Sequence, residues 1–576
     1  MINVKRLVII GLILIAMVIF DTTFFTEQKA QPSAPESSIA WTDAAKNPTN
    51  PDSIYPPAHH DDLSAAGVSY SGYDETRANN IISELQKFEK KTDGKDMVAI
   101  PVETALPLLT DNLLDEIDRL DTQMELLNIE YYRDANNEEI SNQSSEVYEQ
   151  YVAISDTALQ TLRNVLKGPN GEILKKELSE EEQDYLSDYE DMTKKEKALY
   201  KEETDLVQKY DKLILNSDNV KKDNKEFVEI LKKLCKIRNE LAVIYEYDNY
   251  VDYSYEEVYT RDYTPDDAKG LYAEVKKYIV PLYVKSTDDF YNSDYYQILN
   301  FNDSGDKILK NIAPYIAQID PELKQSFNYL RRHHMYDLDS YPTKMDVGYT
   351  VDLMEYGSPF IFNAPYNEAA DYSVTIHEFG HFNAAFHQSD HALLSEDGSY
   401  DIAEIQSQGL ELLFLDYYDE LFGDSSDIIK SETISNILTG VVTGCMYDEF
   451  QQAIFDNPDM SREEINQLAA KLAKEYGLIE AQYSTKEDAP YDWVNVSHTY
   501  ESPMYYISYA TSALSALDIW AASLDDRDAA IDSYMKISAV SPDMSYQEAL
   551  KECGLRNIFK KGAVKAIGKR IEQTMN

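Results

Sequence analysis

From about residue 80 onward, apolar residues recur at helical intervals. Leu113, Ile117, Leu120, Met124 and Leu127 follow one another at steps of 4, 3, 4 and 3, and Ile230, Leu234, Ile237 and Leu241 at 4, 3 and 4. Each set falls on one face of an α-helix, as a core-facing stripe does. Between them, KKELSEEEQDYLSDYEDMTKKEKALYKEETD interleaves acids and bases within i,i+4 reach and reads as the exposed face of a helical hairpin. Long alternating strands are scarce. The stretch MDVGYTVDLMEYGSPFIFNAP (345–365) is the exception and predicts a short β-hairpin. No internal repeat is visible. The expected fold is mostly α, with an N-terminal helical lobe over 80–224 and a C-terminal lobe over 225–576.

The pattern is different at the N-terminus. Lys5 and Arg6 precede an uninterrupted apolar run from Leu7 to Phe20, which Asp21 ends. A basic start and an apolar segment short of a bilayer span predict a signal peptide or an N-terminal membrane anchor over 1–27. In either case the body of the protein is expected outside the cytoplasm, secreted or held at the cell surface. A tract rich in Pro, Ser and Asn follows and predicts a flexible tether over 28–79. His59, His60, Asp61 and Asp62 have metal-ligand chemistry, but they lie in this tract and read as part of a solvated linker.

Composition narrows the function classes. A chain of 576 residues exceeds one small core, and its 43% hydrophobic content suffices to fold most of it. Against 53 basic residues stand 103 acidic ones, a formal net charge of −50. Such a surface repels nucleic acid and anionic lipid headgroups, so no nucleic-acid partner is expected. The three cysteines, Cys235, Cys445 and Cys553, are far apart and show no CxxC spacing, so they read as separate buried thiols.

The candidate chemistry lies in NEAADYSVTIHEFGHFNAAFHQ, which lacks proline and has helical apolar spacing. His377 and His381 fall one turn apart on one face, so both imidazoles can address one metal ion. Glu378 is rotated off that line by about 100° and can reach a metal-bound water without being a ligand. Gly380 keeps the helix surface low, which lets another segment pack close. A zinc site needs a third protein ligand and an open fourth position. After a polar loop the chain resumes as SYDIAEIQSQGLELLFLDYYDELF, with Ser399 or Asp401 as the candidate N-cap of a second helix. Glu404 lies one turn inside that helix and is the candidate third ligand, with His387 and His391 as competitors. Asp401 and Glu411 suit the task of holding ligand imidazoles in the correct tautomer.

HEFGH followed by DIAEIQSQGLE resembles the oligoendopeptidase F and thimet oligopeptidase family of zinc metallopeptidases. IRNELAVIYEYDNYVDYSYEEVYTRDYTPDDAKGLYAEV and PFIFNAP resemble the family's segments ahead of its zinc helix, and VNVSHTYESPMYYISYATS resembles its histidine-tyrosine segment. The resemblance covers roughly residues 225 to 576. It implies one Zn2+ per chain on His377, His381 and Glu404, with two helical lobes enclosing a deep channel that admits short unstructured peptides. Glu378 would be the general base. His498, Tyr505 and Tyr509 would donate hydrogen bonds to the oxyanion, with the tyrosines sharing a face of a helix starting near Ser502-Pro503 and Tyr506 pointing away. Two departures stand out. Ala384 replaces the histidine often found three residues past the motif, and TKMDVGY, with Gly348, stands in for a glycine-rich stretch.

The implied activity is that of an exported zinc endopeptidase acting on oligopeptides. Two other readings stay open. A zinc carboxypeptidase or dipeptidase on a similar scaffold would need a cation for the peptide terminus, with Arg331, Arg332 and Lys344 as the nearest candidates. A catalytically inactive peptide-binding protein at the cell surface would have no use for Glu378.

Overall fold

The computed structural model describes residues 70–89 and 102–574, apart from 135–136, 179–182, 184–185, 187–192, 292–300, 388–398 and 543. The apolar run Leu7–Phe20, the tract holding His59 to Asp62, and His391 lie outside the described residues. No described helix is long and apolar enough to cross a membrane.

The first lobe is built on three helices: α1 (Thr76–Leu85), α2 (Val102–Arg133) and α3 (Glu138–Lys167). Leu113, Leu120, Met124 and Leu127 are buried along α2, as their spacing predicts. Asn137 stops the chain fraying at the start of α3 by accepting from the amides of Glu139 and Ile140. This lobe has its own apolar core, including Leu106, Leu120, Leu162 and Val165.

A helical hairpin follows, α4 (Lys194–Asn216) and α5 (Val220–Ile244). A capping box starts α4: Glu196 N–H donates to Thr193 Oγ1, and the Glu196 carboxylate accepts from Thr193 N–H. Lys195 pairs with Glu240 at 2.7 Å and Lys209 with Glu226 at 2.6 Å, so the two helices run antiparallel. The charges expected to pair along one helix thus also join its neighbour. Ile230, Leu234, Ile237 and Leu241 are buried, and α4 and α5 contribute to the large core that runs on to Ile571. Leu206 and Tyr210 of α4 belong to this core, as do Leu126, Ile129 and Tyr132 at the end of α2.

The expected hairpin is present as β2 (Gly348–Leu353) and β3 (Ser358–Asn363), antiparallel and joined through Gly357, whose φ of 52° suits a residue without Cβ. A two-residue strand, β1 (Tyr336–Asp337), adds in parallel on the far side of β3, giving the order β1-β3-β2. It is too short to have a hydrophobic period. The sheet packs on α6 (Ala370–His387), and α6 packs on α7 (Tyr400–Phe414). Behind α7 lies α9 (Ile507–Ser523), which also packs on α8 (Ser426–Asp456). Cys235, Cys445 and Cys553 are all buried and unbridged.

Gly380 sets the α6–α7 distance. A Cβ there would lie 2.5 Å from the Gln406 carbonyl oxygen and 2.7 Å from Ser407 Cα, both backbone atoms. Gly380→Ala is therefore expected to force the two helices apart and cost about 1–3 kcal/mol, as overpacking does. A thermal melt of the metal-free protein checks it.

Candidate metal centre

Helix α6 presents His377 and His381 one turn apart, their ring centroids 5.0 Å from one another. From α7, Glu404 Oε2 comes to 3.3 Å from His377 Nε2 and 3.7 Å from His381 Nε2. One donor atom from each of the three side chains lies within 4.8 Å of the other two, the single such cluster among the described residues. Ser407, one turn along α7, donates to Glu404 Oε2 at 2.8 Å and holds that carboxylate in place.

The surroundings set the imidazole protonation. His377 Nδ1 lies 2.7 Å from Glu411 Oε1, and since a carboxylate only accepts, the ring donates from Nδ1. Nε2 is then the nitrogen that faces Glu404 and that would take a metal in exchange for its proton. Burial works against charging His377, but Glu404 and Glu411 outweigh it and hold its proton affinity well above the usual range. His381 has no second carboxylate, and burial pushes it down to about 4. Burial also opposes ionisation of Glu404, yet His377, His381 and Ser407 together keep it below the usual carboxylate range.

Glu378 is 3% exposed, and its carboxylate meets the sheet at β2. Thr350 Oγ1 on β2 lies 2.7 Å from Glu378 Oε2 and 3.0 Å from the Glu378 carbonyl oxygen, so one hydroxyl ties the strand to the helix at this residue. Nothing in the sequence pointed to Thr350, because the contact joins elements 28 residues apart.

His498 is 6% exposed, and its Nε2 meets no hydrogen-bond partner among the described residues. Three tyrosine rings surround it: Tyr505 at 5.1 Å and nearly parallel, Tyr506 at 5.2 Å, and Tyr509 at 6.2 Å. Burial lowers the His498 pKa to about 4, so the ring is neutral near pH 7. The Tyr505 ring lies 5.4 Å from that of Tyr400, which stands one turn before Glu404 on α7. The aromatic group thus reaches α7 one turn before Glu404.

Several expectations need correction. The helix that was to carry Tyr505 and Tyr509 begins only at Ile507. Tyr505 and Tyr506 sit in the turn before it, after Met504 at φ 69°, and this turn brings Tyr506 onto His498 instead of away from it. Ser399 occupies the N-cap of α7 without a side-chain bond to the helix. Among the described residues Asp401 holds no imidazole. Its carboxylate accepts from Tyr263 at 3.0 Å and Thr511 at 2.8 Å and lies 3.4 Å from Arg261 Nε, so it ties α7 to α9 through a buried cation. His387 lies at the end of α6, outside the cluster, with its ring edge-on to Phe386. Lys344 is almost fully buried, with Nζ donating to Asp337 Oδ1 at 2.8 Å and the Asn363 carbonyl at 2.7 Å, so it staples the sheet.

Comparison with known proteins agrees with this geometry. Residues 332–568 match the family model described as peptidase family M3, a span that contains His377, His381, Glu404 and His498. No curated protein matches the chain by sequence. Among solved structures, one provisionally named oligoendopeptidase F superposes with a TM-score of 0.70 at 21% identity, covering 89% of this chain and 98% of its own. PZ peptidase A, solved with an inhibitor, gives 0.70 at 19% identity over 88% and 98%. Metallocarboxypeptidase 1 of Trypanosoma cruzi gives 0.54 at 12% identity over 86% and 100%. At these identities the superpositions establish the mostly α fold, and residues 332–568, the stretch that holds the metal-ligand cluster, are similar to peptidase family M3.

Proposed function

We propose that the protein is an exported, zinc-dependent endopeptidase that hydrolyses oligopeptides. The convergence of His377, His381 and Glu404, with Glu378 beside them on α6, carries this reading. Two imidazoles and a carboxylate are the donor set of a catalytic zinc site, and the Nδ1 bond of His377 to Glu411 supplies the orienting partner such a ligand requires. The residues present therefore fit the metal. Zinc bound there would polarise the scissile carbonyl and acidify water.

The remaining work falls to the chain's own groups. Glu378 takes a proton from the attacking water and returns it to the departing amine. Its carboxylate is oriented by Thr350, so it is held for the transfer and does not swing toward the metal. His498 offers a neutral, buried imidazole with a spare nitrogen, ringed by Tyr505, Tyr506 and Tyr509, as a donor to the developing oxyanion. Short unstructured peptides entering between helical lobes are the substrate class, and the −50 net charge favours cationic ones. Export rests on Lys5, Arg6 and the apolar run after them. The likeness to a metallocarboxypeptidase keeps an exopeptidase as the second reading. The engagement of Lys344 within the sheet removes one of the cations it would need.

Incubating the protein with a peptide library, with and without a chelator, and mapping products by mass spectrometry tests both readings. Internal cuts that vanish with chelator and return with zinc are expected. Removal of C-terminal residues alone would assign the second reading. A separate check concerns Glu411: Glu411→Gln is expected to weaken zinc affinity about 10–100-fold by loosening the His377 tautomer, measured by competition with a chromogenic chelator.

A further inference from the structure

The segment from Ser497 to Tyr506 has little regular structure: one 3-10 turn over Ser497–Thr499, then bends up to the start of α9. Backbone carbonyls in such a segment, once buried, must find partners elsewhere. Four consecutive ones meet two side chains, Arg238 and Tyr259, and the Ser502 carbonyl also accepts locally from the Tyr505 amide at 3.2 Å. Arg238 Nη2 donates to the Tyr500 carbonyl at 2.6 Å and the Glu501 carbonyl at 3.2 Å. The Tyr259 hydroxyl lies 3.2 Å from the Ser502 carbonyl and 3.1 Å from that of Pro503. Both side chains are buried, at 2% and 3% exposure. Arg238 is itself fixed by an ion pair from Nε to Glu203 at 2.6 Å, so its fork cannot rotate freely.

We propose that Arg238 and Tyr259 are positioning residues, holding the Ser497–Tyr506 segment so that His498 and its tyrosines face the metal-ligand cluster. The inference rests on the reading of His498 as an oxyanion donor. The carbonyls they hold lie between His498 and Tyr505, which stack at 5.1 Å, so a swing of this stretch would part the two rings. A cavity of about 20 Å3, enough for one water, lies among Arg238, Tyr259, Glu501 and Ser502, next to the carbonyls they hold. Gln451 on α8 accepts from the Met504 amide at 2.7 Å and fixes the far end of the segment at its left-handed turn.

Tyr259→Phe removes a single hydroxyl and tests the proposal on the full chain loaded with zinc, using a quenched peptide substrate. The expected result is a fall in kcat of about 10-fold or more, with KM, zinc content and melting temperature close to those of the parent. Arg238→Lys should likewise lower kcat. Tyr546→Phe loses an equally buried hydroxyl, bonded to the Thr511 carbonyl at 3.0 Å within α9, and should keep the parental kcat. His498→Ala, or His498→Gln where alanine does not fold, should lower kcat about 10²–10³-fold. Adding Tyr259→Phe to that variant should then cost nothing more, because Tyr259 acts through His498. Parental kcat in Tyr259→Phe overturns the proposal, as does an equal loss in Tyr546→Phe or in the His498-substituted background. If His498 variants keep the parental kcat, the oxyanion reading fails first and the positioning role falls with it. If they lose activity while Tyr259→Phe does not, only the positioning role fails.

Discussion

Replacing Glu378 with glutamine is expected to lower kcat by about 10²–10⁴-fold, the usual contribution of a positioned acid-base group. Zinc content should stay the same. Glu378 follows His377 directly and is turned about 100° from it, so it is not one of the three converging donors. Glutamine keeps the volume of a side chain that is 3% exposed and can still accept the Thr350 hydroxyl bond, so folding should be preserved. What it loses is the capacity to take a proton. The measurement is turnover of a quenched peptide alongside metal analysis of the same sample. Equal turnover in the two proteins would rule out Glu378 as the base. Absence of turnover in the parent, with peptide still bound, would favour the surface-binding reading.

What the sequence disclosed follows the range of each interaction. His377 and His381 were legible because helix geometry is local: four residues bring two side chains onto one face whatever the fold. Glu404 was legible through the restart of helical periodicity after a polar loop, which placed it one turn inside α7. Glu411 followed from the same helix two turns on, and its 2.7 Å contact with His377 is a matter of helical phase. Gly380 was legible as a close approach, though not that the backbone at Gln406 and Ser407 would fill the space.

Where the sequence misled, the deciding contact was long-range or the backbone irregular. Asp401 shares the imidazole-facing helix, but Arg261, 140 residues earlier in the chain, draws its carboxylate the other way. Arg261 itself gave no signal, since a buried arginine is marked only by partners that other segments supply. Helical phase assigned Tyr506 to the wrong direction because α9 begins at Ile507, one residue too late for that phase to apply. Thr350, Arg238 and Tyr259 had no pattern to betray them, because each acts on backbone or carboxylate brought near by the fold alone.

Glu404→Ala is expected to abolish zinc binding at micromolar metal and turnover with it. It also decides the ligand question left open between Glu404, His387 and His391. In the parent, a metal that binds the folded state alone raises stability by about 4 kcal/mol at 1,000 times its dissociation constant, which appears as a higher melting temperature on adding zinc. The variant keeps only the two imidazoles, and two ligands do not make a closed protein set. No zinc-dependent rise in melting temperature should then remain. The metal-free variant should still fold, because among the described residues the lost carboxylate meets only Ser407 and the two histidines. With Glu404 gone, burial has less to oppose it at His377, so that imidazole should also titrate lower than in the parent, with Glu411 still holding it up. Histidine NMR in the metal-free state checks that direction without any activity assay. Retention of parental zinc affinity would transfer the third-ligand role to a histidine. His387 would then have to leave the end of α6, where it packs edge-on to Phe386, to reach the cluster.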